Sequence, residues 1–251
     1  MKISIITPTY NSAKTIYRTI DSILSQSCKD IEYIVVDGGS VDGTQDIVLS
    51  YKDKINLKFI SEKDNGIYDA MNKGVKMATG SIVGILNSDD FYENNDVLNV
   101  VIKEFENSEI EAVYGDISYF SDDINRVTRY WKAGEYKEHK LNNGWCIPHP
   151  SLFVRKLVYD KYGFFNTDFK IAADYEFILR ILKVYKIRTK YIPKIFVRMF
   201  DSGESGRSLG QRIKGWKELN MAWKSNNLKT PPFFIVRRVF SKIFQFLFNN
   251  F

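Results

Sequence analysis

Short apolar runs alternate with helix-like stretches in the N-terminal part of the chain, and each run stops abruptly at polar residues. The run from Ile82 to Leu86 ends at Asn87, and the run from Ile31 to Val36 ends at Asp37. Such nearly continuous apolar runs are typical of strands that are covered by helices on both faces. Strands and helices in alternation predict an α/β fold with a mostly parallel sheet and right-handed crossovers.

The polar residues that follow these strands are the first functional candidates. Because the carboxyl ends of parallel strands meet at one edge of a sheet, we expect Thr9, Asp37, Asp64 and Asp89 to converge there. Ligands of open α/β sheets bind just beyond those ends. Convergence of this kind favours a ligand site over helix capping alone.

Two adjacent carboxylates, Asp89 and Asp90, follow Asn87 and Ser88. Neighbouring carboxylates repel each other and are tolerated best beside a cation or a hydrogen-bond donor. Oxygen ligands of this kind suit Mg²⁺ or Mn²⁺, which also bind phosphate. The alternative is that one of these aspartates caps a helix expected near Asp96 to Glu106.

A glycine-rich loop follows the second strand. It contains Gly38, Gly39 and Gly43 between Asp37 and Thr44. Glycine adopts backbone conformations that are closed to other residues, so the backbone of this loop can approach a ligand closely.

The rest of the chain is less regular. Alternating residues predict a hairpin from 116–120 and 126–131, and Leu152 to Val154 reads as a strand. Ala172 to Glu176 opens a further helix. Residues 201–215 have the composition of a mobile basic loop, which could also cover phosphates as a lid.

Composition narrows the class of protein. A chain of 251 residues that is 44% hydrophobic can bury a substantial core. Its net charge of +6 and pI near 9.0 fit nucleic acid, an anionic membrane or a phosphorylated substrate. Cys28 and Cys146 are far apart in the sequence and indicate neither a zinc site nor a disulfide framework. A reducing cytoplasm is therefore the expected compartment. Neither a signal peptide nor a membrane-spanning run is predicted.

The ordered set of motifs resembles family 2 inverting glycosyltransferases of the GT-A fold, in particular those that assemble bacterial surface polysaccharides. The match extends over about residues 3–180, in the order and spacing of the family. The matching stretches are Thr7-Pro8-Thr9-Tyr10-Asn11, Val36-Asp37-Gly38-Gly39-Ser40 with Asp42-Gly43-Thr44, Gly66 with Asn72 and Gly74, Asn87-Ser88-Asp89-Asp90, and Ala173-Asp174-Tyr175-Glu176.

The resemblance implies a nucleotide site and a metal. In such enzymes the backbone around Thr9 and the carboxylate that matches Asp37 hold uracil, whose N3–H suits a carboxylate acceptor. Asp89 matches the last acid of the family's DxD signature, which holds Mn²⁺ or Mg²⁺ on the diphosphate. The residues expected at the nucleotide are Thr7, Pro8, Thr9, Tyr10, Asn11, Asp37, Gly38, Gly39, Asp64, Gly66, Asn72, Asn87 and Ser88.

The resemblance also implies a catalytic base, which Asp174 matches. Inversion at the sugar C1 needs a carboxylate that takes the proton of the acceptor hydroxyl. An alternative for Asp174 is that it caps the helix from Tyr175. His149 matches a histidine near the metal or acceptor in relatives, so it is a candidate second metal ligand, or else a turn histidine between two prolines.

Two positions depart from the family pattern. Asn87 stands where many relatives carry the first aspartate of the DxD signature, so metal binding is expected to rest mainly on Asp89. Met71 stands where relatives often have an arginine that contacts phosphate. Lys73 could replace it only if its side chain points the right way.

The C-terminal stretch 231–251 combines aromatic and aliphatic residues with Arg237, Arg238 and Lys242. As a helix it would be amphipathic and suited to an anionic membrane surface. The alternatives are an oligomer contact, which would make the chain a homo-oligomer, or packing on the catalytic domain. Its expected apolar face comprises Phe233, Val236, Phe240, Ile243, Phe244 and Leu247.

These observations predict a catalytic GT-A domain over residues 1–200, with a nucleotide-sugar half to about 95 and an acceptor half from about 96. A basic loop and helix at 201–230 and the helix at 231–251 would form a helical C-terminal appendage. The expected activity is transfer of a hexose or N-acetylhexosamine from a UDP-sugar to a lipid-diphosphate-linked glycan, at the cytoplasmic face of the membrane. The resemblance points to O-antigen, capsule or exopolysaccharide assembly.

Two other functions are weighed against this one. A sugar nucleotidyltransferase would carry a basic glycine-rich loop after the first strand, and Thr9 to Ser12 supply neither glycine nor a base. A non-enzymatic nucleic-acid-binding protein would fit the positive charge. Acids at the strand ends oppose that reading, because they repel a phosphate backbone, and no nucleic-acid partner is expected.

Overall fold

The N-terminal half is built from parallel strands joined by helices. The computed structural model describes residues 1–121, 123–201 and 209–240. The parallel strands lie in the order β3-β2-β1-β4, each joined to the next along the chain by a helix, as the alternating pattern predicts. Their bounds are β1 (Ile3–Thr9), α1 (Ile16–Leu24), β2 (Ile31–Asp37), α2 (Thr44–Leu49), β3 (Leu57–Ser61), α3 (Ile67–Met77) and β4 (Ile82–Ile85).

The C-terminal half extends this sheet with strands of mixed direction, in the order β4-β8-β6-β9-β5, and β7 pairs with β6 as the predicted hairpin. The bounds are β5 (Phe91–Tyr92), α4 (Val97–Glu104), β6 (Ala112–Phe120), β7 (Val127–Trp131), α5 (Glu138–Asn142), β8 (Leu152–Arg155), α6 (Lys156–Tyr162), α7 (Ala173–Leu179), β9 (Thr189–Phe200) and α8 (Leu209–Ser225). A π-helical turn, Arg180–Val184, continues α7.

The longest strand, β9, has no counterpart in the sequence analysis. Pro193 and two lysines interrupt its apolar pattern, and proline is disfavoured inside a sheet because it lacks an N–H. The structure accommodates Pro193 where the register between β6 and β9 shifts, between the Tyr114–Tyr191 and Asp116–Ile195 pairs. Gly115 lies opposite, where a Cβ would come within 2.6 Å of the Phe196 ring.

Hydrophobic side chains pack on both faces of the sheet. One cluster joins the sheet to α3, α6, α7 and α8, and the other joins it to α1, α2 and α4. Neighbouring residues of β1 alternate between the two, since Ile6 belongs to the first and Ile5 to the second. This alternation is what a strand covered on both faces requires.

The C-terminal segment packs on the same core. Trp223 of α8 and Phe234 are buried in the first cluster, together with Ile6 and Val83 of the sheet. Residues 234–240 are helical. Of the expected lid, 202–208 lie outside the described residues, and so do 241–251 of the expected C-terminal helix. Within the described ranges, no helix is long and apolar enough to cross a bilayer.

Candidate active site

The ends of the parallel strands form one continuous rim, defined here by Thr9, Asp37, Ser61 and Asn87. Thr9 pairs with Asp37 and Asp37 pairs with Ser61, so the last residues of β1, β2 and β3 are direct neighbours. On the other side of β1, the Leu86 N–H donates to the Ile6 carbonyl. Asn87 is the next residue, just beyond the end of β4. The predicted meeting of the parallel strand ends at one sheet edge is confirmed.

Hydrogen bonds join the loops of the rim. The backbone N–H of Asn11 donates to the Ser40 hydroxyl at 2.8 Å, and the Asn11 side chain accepts the Val41 N–H at 3.1 Å. The hydroxyls of Ser12 and Ser88 lie 2.8 Å apart, which joins the β1 loop to the β4 loop. Asn11 has a φ of 49°, a left-handed conformation that asparagine tolerates.

Asp37 lies at the rim, and its carboxylate turns into the glycine loop. Its side chain is fully buried, and its carboxylate accepts hydrogen bonds from the N–H groups of Gly39 and Ser40 and from the hydroxyls of Ser40 and Ser61. These four donors come from the chain itself and turn the carboxylate into the loop. Asp37 therefore holds the glycine loop in shape, and its contact with uracil stays a prediction.

A niche lies beside that loop, between Tyr10, Gly38 and Asp64. A Cβ at Gly38 would lie 3.2 Å from Oδ2 of Asp64 and 3.3 Å from the Tyr10 ring, so only glycine leaves this space free. The Tyr10 side chain is 63% exposed and offers a flat face at the rim. Oδ1 of Asp64 accepts from Lys73 at 2.6 Å, which leaves Oδ2 towards Gly38.

Lys73 is engaged by carboxylates and does not replace the missing arginine. Its ammonium lies 2.6 Å from Asp64, 2.8 Å from Glu62 and 3.6 Å from Asp69. Hydrogen bonds from Lys73 to Asp64 and Glu62 raise the lysine's pKa. Met71, at the arginine position of relatives, is buried in the core.

Four other residues from the predicted nucleotide set have backbone or structural roles. Thr7 and Pro8 are buried inside β1, before the rim. Gly39 has a φ of +86° and Gly66, at the start of α3, a φ of +111°, which both favour glycine.

Asn72 makes two backbone hydrogen bonds, and its contact with the nucleotide stays a prediction. Its side-chain N–H donates to the Phe165 carbonyl at 2.8 Å, and its side-chain oxygen accepts the Phe165 N–H at 3.0 Å. The buried amide therefore holds α3 against the segment before α7, and both of its polar atoms are paired with the backbone of Phe165.

The turn after β4 gathers hard oxygen atoms. Asn87 donates its side-chain N–H to Asp90 at 3.0 Å, and its side-chain oxygen is buried without a hydrogen-bond partner among the described residues. Burial, and next the charge of Asp89, raise the pKa of Asp90 well above its usual range. Asp89 is half-buried beside it. An unsatisfied amide oxygen next to a carboxylate fits a divalent cation.

The described residues contain no group of three acidic, histidine or cysteine side chains that could hold a metal by themselves. A cation at Asp89 and Asn87 would therefore need further oxygen ligands from a bound diphosphate. Mg²⁺ commonly binds proteins in this way, through one or two protein ligands plus phosphate.

Asp174 lies in the first turn of α7, within hydrogen-bond distance of Tyr68. The Tyr68 hydroxyl is 3.1 Å from Oδ1 of Asp174 and donates to the Ile171 carbonyl at 2.8 Å. Burial and the charge of Asp174 raise the pKa of Tyr68, so the hydroxyl keeps its proton. Burial lowers the pKa of His149, and the nearby charge of Asp174 opposes this.

The ring of His149 packs edge-on against Phe165, with the ring centroids 5.5 Å apart. The role of His149 as a second metal ligand stays a prediction.

Both capping alternatives are wrong. The N-cap of α7 is Ala172 and that of α4 is Asp96, and neither makes a side-chain cap. Asp174 lies one residue inside its helix, while Asp89 and Asp90 precede the short strand β5. Asp89, Asp90 and Asp174 therefore do not serve as N-cap residues of these helices.

Two residues at the site were not predicted from the sequence: Ser61 and Tyr68. Ser61 follows the third apolar run, so its position at a strand end was a usable signal. Tyr68 has no such signal, because an aromatic residue in the first turn of an amphipathic helix is more often part of the core.

Comparison with known proteins identifies the family. The family model described as glycosyl transferase family 2 matches residues 4–163. The chain belongs to this family. The match contains the whole rim and ends before Asp174.

Among family 2 relatives, the PGL/p-HBAD biosynthesis glycosyltransferase of Mycobacterium tuberculosis is 33% identical over 192 residues, which cover 75% of this chain and 73% of the relative. The chondroitin synthase of Escherichia coli is 30% identical over 205 residues, covering 81% of this chain and 29% of the synthase. The chain is therefore a family 2 glycosyltransferase with relatives in glycan synthesis.

Solved structures share the GT-A fold with this family 2 chain. S. aureus TarS 1-349 in complex with UDP-GlcNAc matches with a TM-score of 0.69 at 22% identity, covering 94% of this chain and 72% of that one. The mannosyltransferase PcManGT of Pyrobaculum calidifontis, in complex with GDP-Man and Mn²⁺, matches with a TM-score of 0.68 at 20% identity, covering 99% and 70%. At this identity the likeness shows the fold alone.

Proposed function

We propose that this glycosyltransferase moves a hexose or N-acetylhexosamine from a UDP-sugar to a lipid-linked glycan, with inversion at C1. The observation that carries the proposal is the arrangement of two functional groups of residues. A rim with hard oxygen atoms lies at the ends of β1 to β4, and the Asp174 carboxylate lies beside the first turn of α3, where Tyr68 reaches it.

The nucleobase lies in the niche of Tyr10, Gly38 and Asp64. Asp64 Oδ2 accepts the uracil N3–H, a role moved from Asp37 because the Asp37 carboxylate is occupied by chain donors. The exposed Tyr10 ring supplies a flat contact for the base, since aromatic rings stack on nucleobases. UDP complexes of the similarly folded TarS are consistent with this choice of nucleotide.

Asp89 and the side-chain oxygen of Asn87 would hold Mn²⁺ or Mg²⁺. When bound, the ion neutralises the charge that develops on the departing UDP. The complex of the similarly folded PcManGT with GDP-Man and Mn²⁺ is consistent with a divalent ion.

Asp174 acts as the general base. It takes the proton of the acceptor hydroxyl while that oxygen forms the new bond to C1. The bond from C1 to the β-phosphate oxygen breaks on the opposite face, and its electron pair leaves with UDP. One displacement of this kind inverts the configuration, and Tyr68 orients the carboxylate that serves it.

The exposed side chains near the C-terminus support docking at an anionic membrane face. Phe233, Val236 and Phe240 are 77%, 50% and 56% exposed, beside the cation of Arg237. Exposed apolar groups flanked by cations suit an interfacial anchor. On this proposal the enzyme works at the cytoplasmic face, where a lipid-diphosphate-linked acceptor would be presented, in the assembly of a surface polysaccharide.

The test is a turnover screen of the full chain with UDP-Glc, UDP-Gal, UDP-GlcNAc and UDP-GalNAc, each with Mn²⁺, with Mg²⁺ and with EDTA. UDP release and the anomeric configuration of the product are measured. We expect metal-dependent turnover of at least one donor with inversion. Turnover that EDTA leaves unchanged would refute the metal role, and release of pyrophosphate from UTP and a sugar phosphate would favour a nucleotidyltransferase.

A substitution separates chemistry from binding. Asp174→Asn removes the base while keeping the size of the side chain, so we expect transfer to fall by about 100-fold or more, in line with the loss of general base catalysis. UDP affinity, measured by calorimetry, should stay within about twofold, since the base contacts no part of the nucleotide. Loss of both would contradict the assigned role.

A further inference from the structure

Glu218 of α8 binds the backbone that leads into the helix of Asp174. Its carboxylate accepts the N–H of Lys170 at 3.1 Å, of Ile171 at 2.8 Å and of Ala172 at 2.9 Å. The Glu218 side chain is only 7% exposed. Three consecutive N–H groups on one buried carboxylate fix the course of the chain two residues before Asp174.

A residue of α3 contacts the same backbone segment, residues 170–172, from the other side. The Tyr68 hydroxyl donates to the carbonyl of Ile171, whose N–H is held by Glu218, and the same hydroxyl touches Asp174. The charge of Glu218 also contributes to the raised pKa of Tyr68. Ile171 is therefore fixed through both of its peptide groups, and the position of the Asp174 carboxylate follows from that.

Further contacts tie α8 to the residues just after Asp174. Trp223 donates its indole N–H to the Tyr175 hydroxyl at 3.0 Å, and Asn226 donates to Glu176 at 2.9 Å. Phe234 packs on the rings of Tyr175 and Trp223, with centroids 6.0 and 5.5 Å away. Residues on both sides of Asp174 thus have partners in the C-terminal segment.

We infer that Glu218 is a positioning residue for the catalytic base, and that α8 is part of the acceptor side of the active site rather than an appendage. The inference rests on the proposed role of Asp174. It concerns a region beyond the family match, which ends at residue 163. Misplacement of a reacting group by about 1 Å can cost about 100-fold in rate, so a support of this kind has kinetic consequences.

The experiment compares Glu218→Gln and Glu218→Asp with the wild-type chain. The glutamine keeps one acceptor oxygen but turns an NH2 group towards the backbone donors, whereas the aspartate keeps the charge on a shorter stem. We expect kcat for UDP release to fall about 10- to 100-fold for Glu218→Gln and by less for Glu218→Asp. The donor KM should stay within about twofold, because the rim does not depend on α8.

Glu32→Gln is the matched control. Glu32 is also a buried carboxylate that accepts a backbone N–H, from Thr79, but it lies near the first residues of β1 and β2, away from the rim. The control should lower the melting temperature without changing kcat, measured where each variant is fully folded.

The results separate the two proposals. If Glu218→Gln lowers kcat only as far as its folded fraction falls, or raises the donor KM by as much as kcat drops, Glu218 has a purely structural role and the inference is overturned. If Asp174→Asn abolishes transfer while folded Glu218→Gln has wild-type kcat, only the inference fails. If Asp174→Asn retains transfer, the proposed base is wrong, whatever Glu218 does.

Discussion

Replacing Asp64 by Asn tests which carboxylate reads the nucleobase. Oδ1 of Asp64 is bound to Lys73 at 2.6 Å, and Oδ2 points to the space above Gly38. In our proposal Oδ2 accepts the uracil N3–H. A hydrogen bond to a charged group contributes about 1.5–3 kcal/mol. We therefore expect Asp64→Asn to weaken UDP binding about 10- to 150-fold.

Cytidine diphosphate makes the test specific to the base. Cytosine carries a lone pair at N3 where uracil carries a proton, so a carboxylate repels cytosine and the amide of asparagine can donate to it. We expect wild type to prefer UDP over CDP, and Asp64→Asn to lose most of that preference. Titration calorimetry with both nucleotides, in the presence of Mn²⁺, measures the two dissociation constants.

Two variants control for indirect effects. Asp69→Asn removes another partner of Lys73, 3.6 Å away, and leaves the niche intact, so UDP affinity should change little. Asp37→Asn should lower thermal stability, because the Asp37 carboxylate accepts four hydrogen bonds within its loop. Equal losses of UDP and CDP binding in Asp64→Asn, or no loss of either, would refute the role of Asp64 in base recognition.

Two further predictions concern stability and membrane binding. Burial raises the pKa of Glu32, but hydrogen bonds from Lys58, Ser4 and Thr79 outweigh it and hold this pKa well below its usual 4.5. The resulting stability is present above pH 4.5 and is lost as the pH falls towards the folded pKa. Glu32→Gln should thus cost about 1–3 kcal/mol at pH 7 and less in acid, as measured by urea unfolding, and a pH-independent loss would contradict this. Joint substitution of Phe233, Val236 and Phe240 by Ser should nearly abolish sedimentation with anionic liposomes, since each inserted apolar side chain contributes about 1.5–3 kcal/mol and the loss of three lowers the partition constant by about 1,000-fold or more. Leu157→Ser, at a side chain that is 68% exposed elsewhere, is the control, and equal sedimentation of all three proteins would exclude this surface as the anchor.

The rim was predictable from the sequence because it depends on local pattern. Apolar runs give the strands, their parallel order brings the ends together, and polar residues at those ends mark the edge. The orientation of side chains at the rim was not predictable in the same way. Asp37 and Asp64 both follow strands, and only the positions of Ser40, Ser61 and Lys73 decide which carboxylate turns inward.

Contacts between distant parts of the chain account for most of what the sequence did not show. Strand β9 pairs with β6 across about eighty residues, and its proline is tolerated where the register shifts, which no local pattern encodes. Asn72 and Phe165 are likewise paired across 93 residues. A polar residue on a helix, such as Asn72, can bind a ligand or a buried backbone group, and the sequence pattern is the same in both cases.

The two parts of the proposed site are held by different kinds of contact, and this difference has a kinetic consequence. The rim is fixed by neighbouring strand ends and by short loops that bond to one another, so it persists as long as the sheet does. Asp174 is placed by single side chains from α3 and α8, Tyr68 and Glu218, acting on one peptide segment. Disturbing either of them moves the base while the nucleotide site keeps its shape. Substitutions in α8 should therefore lower kcat far more than they weaken the binding of UDP, although α8 contributes no residue to the rim.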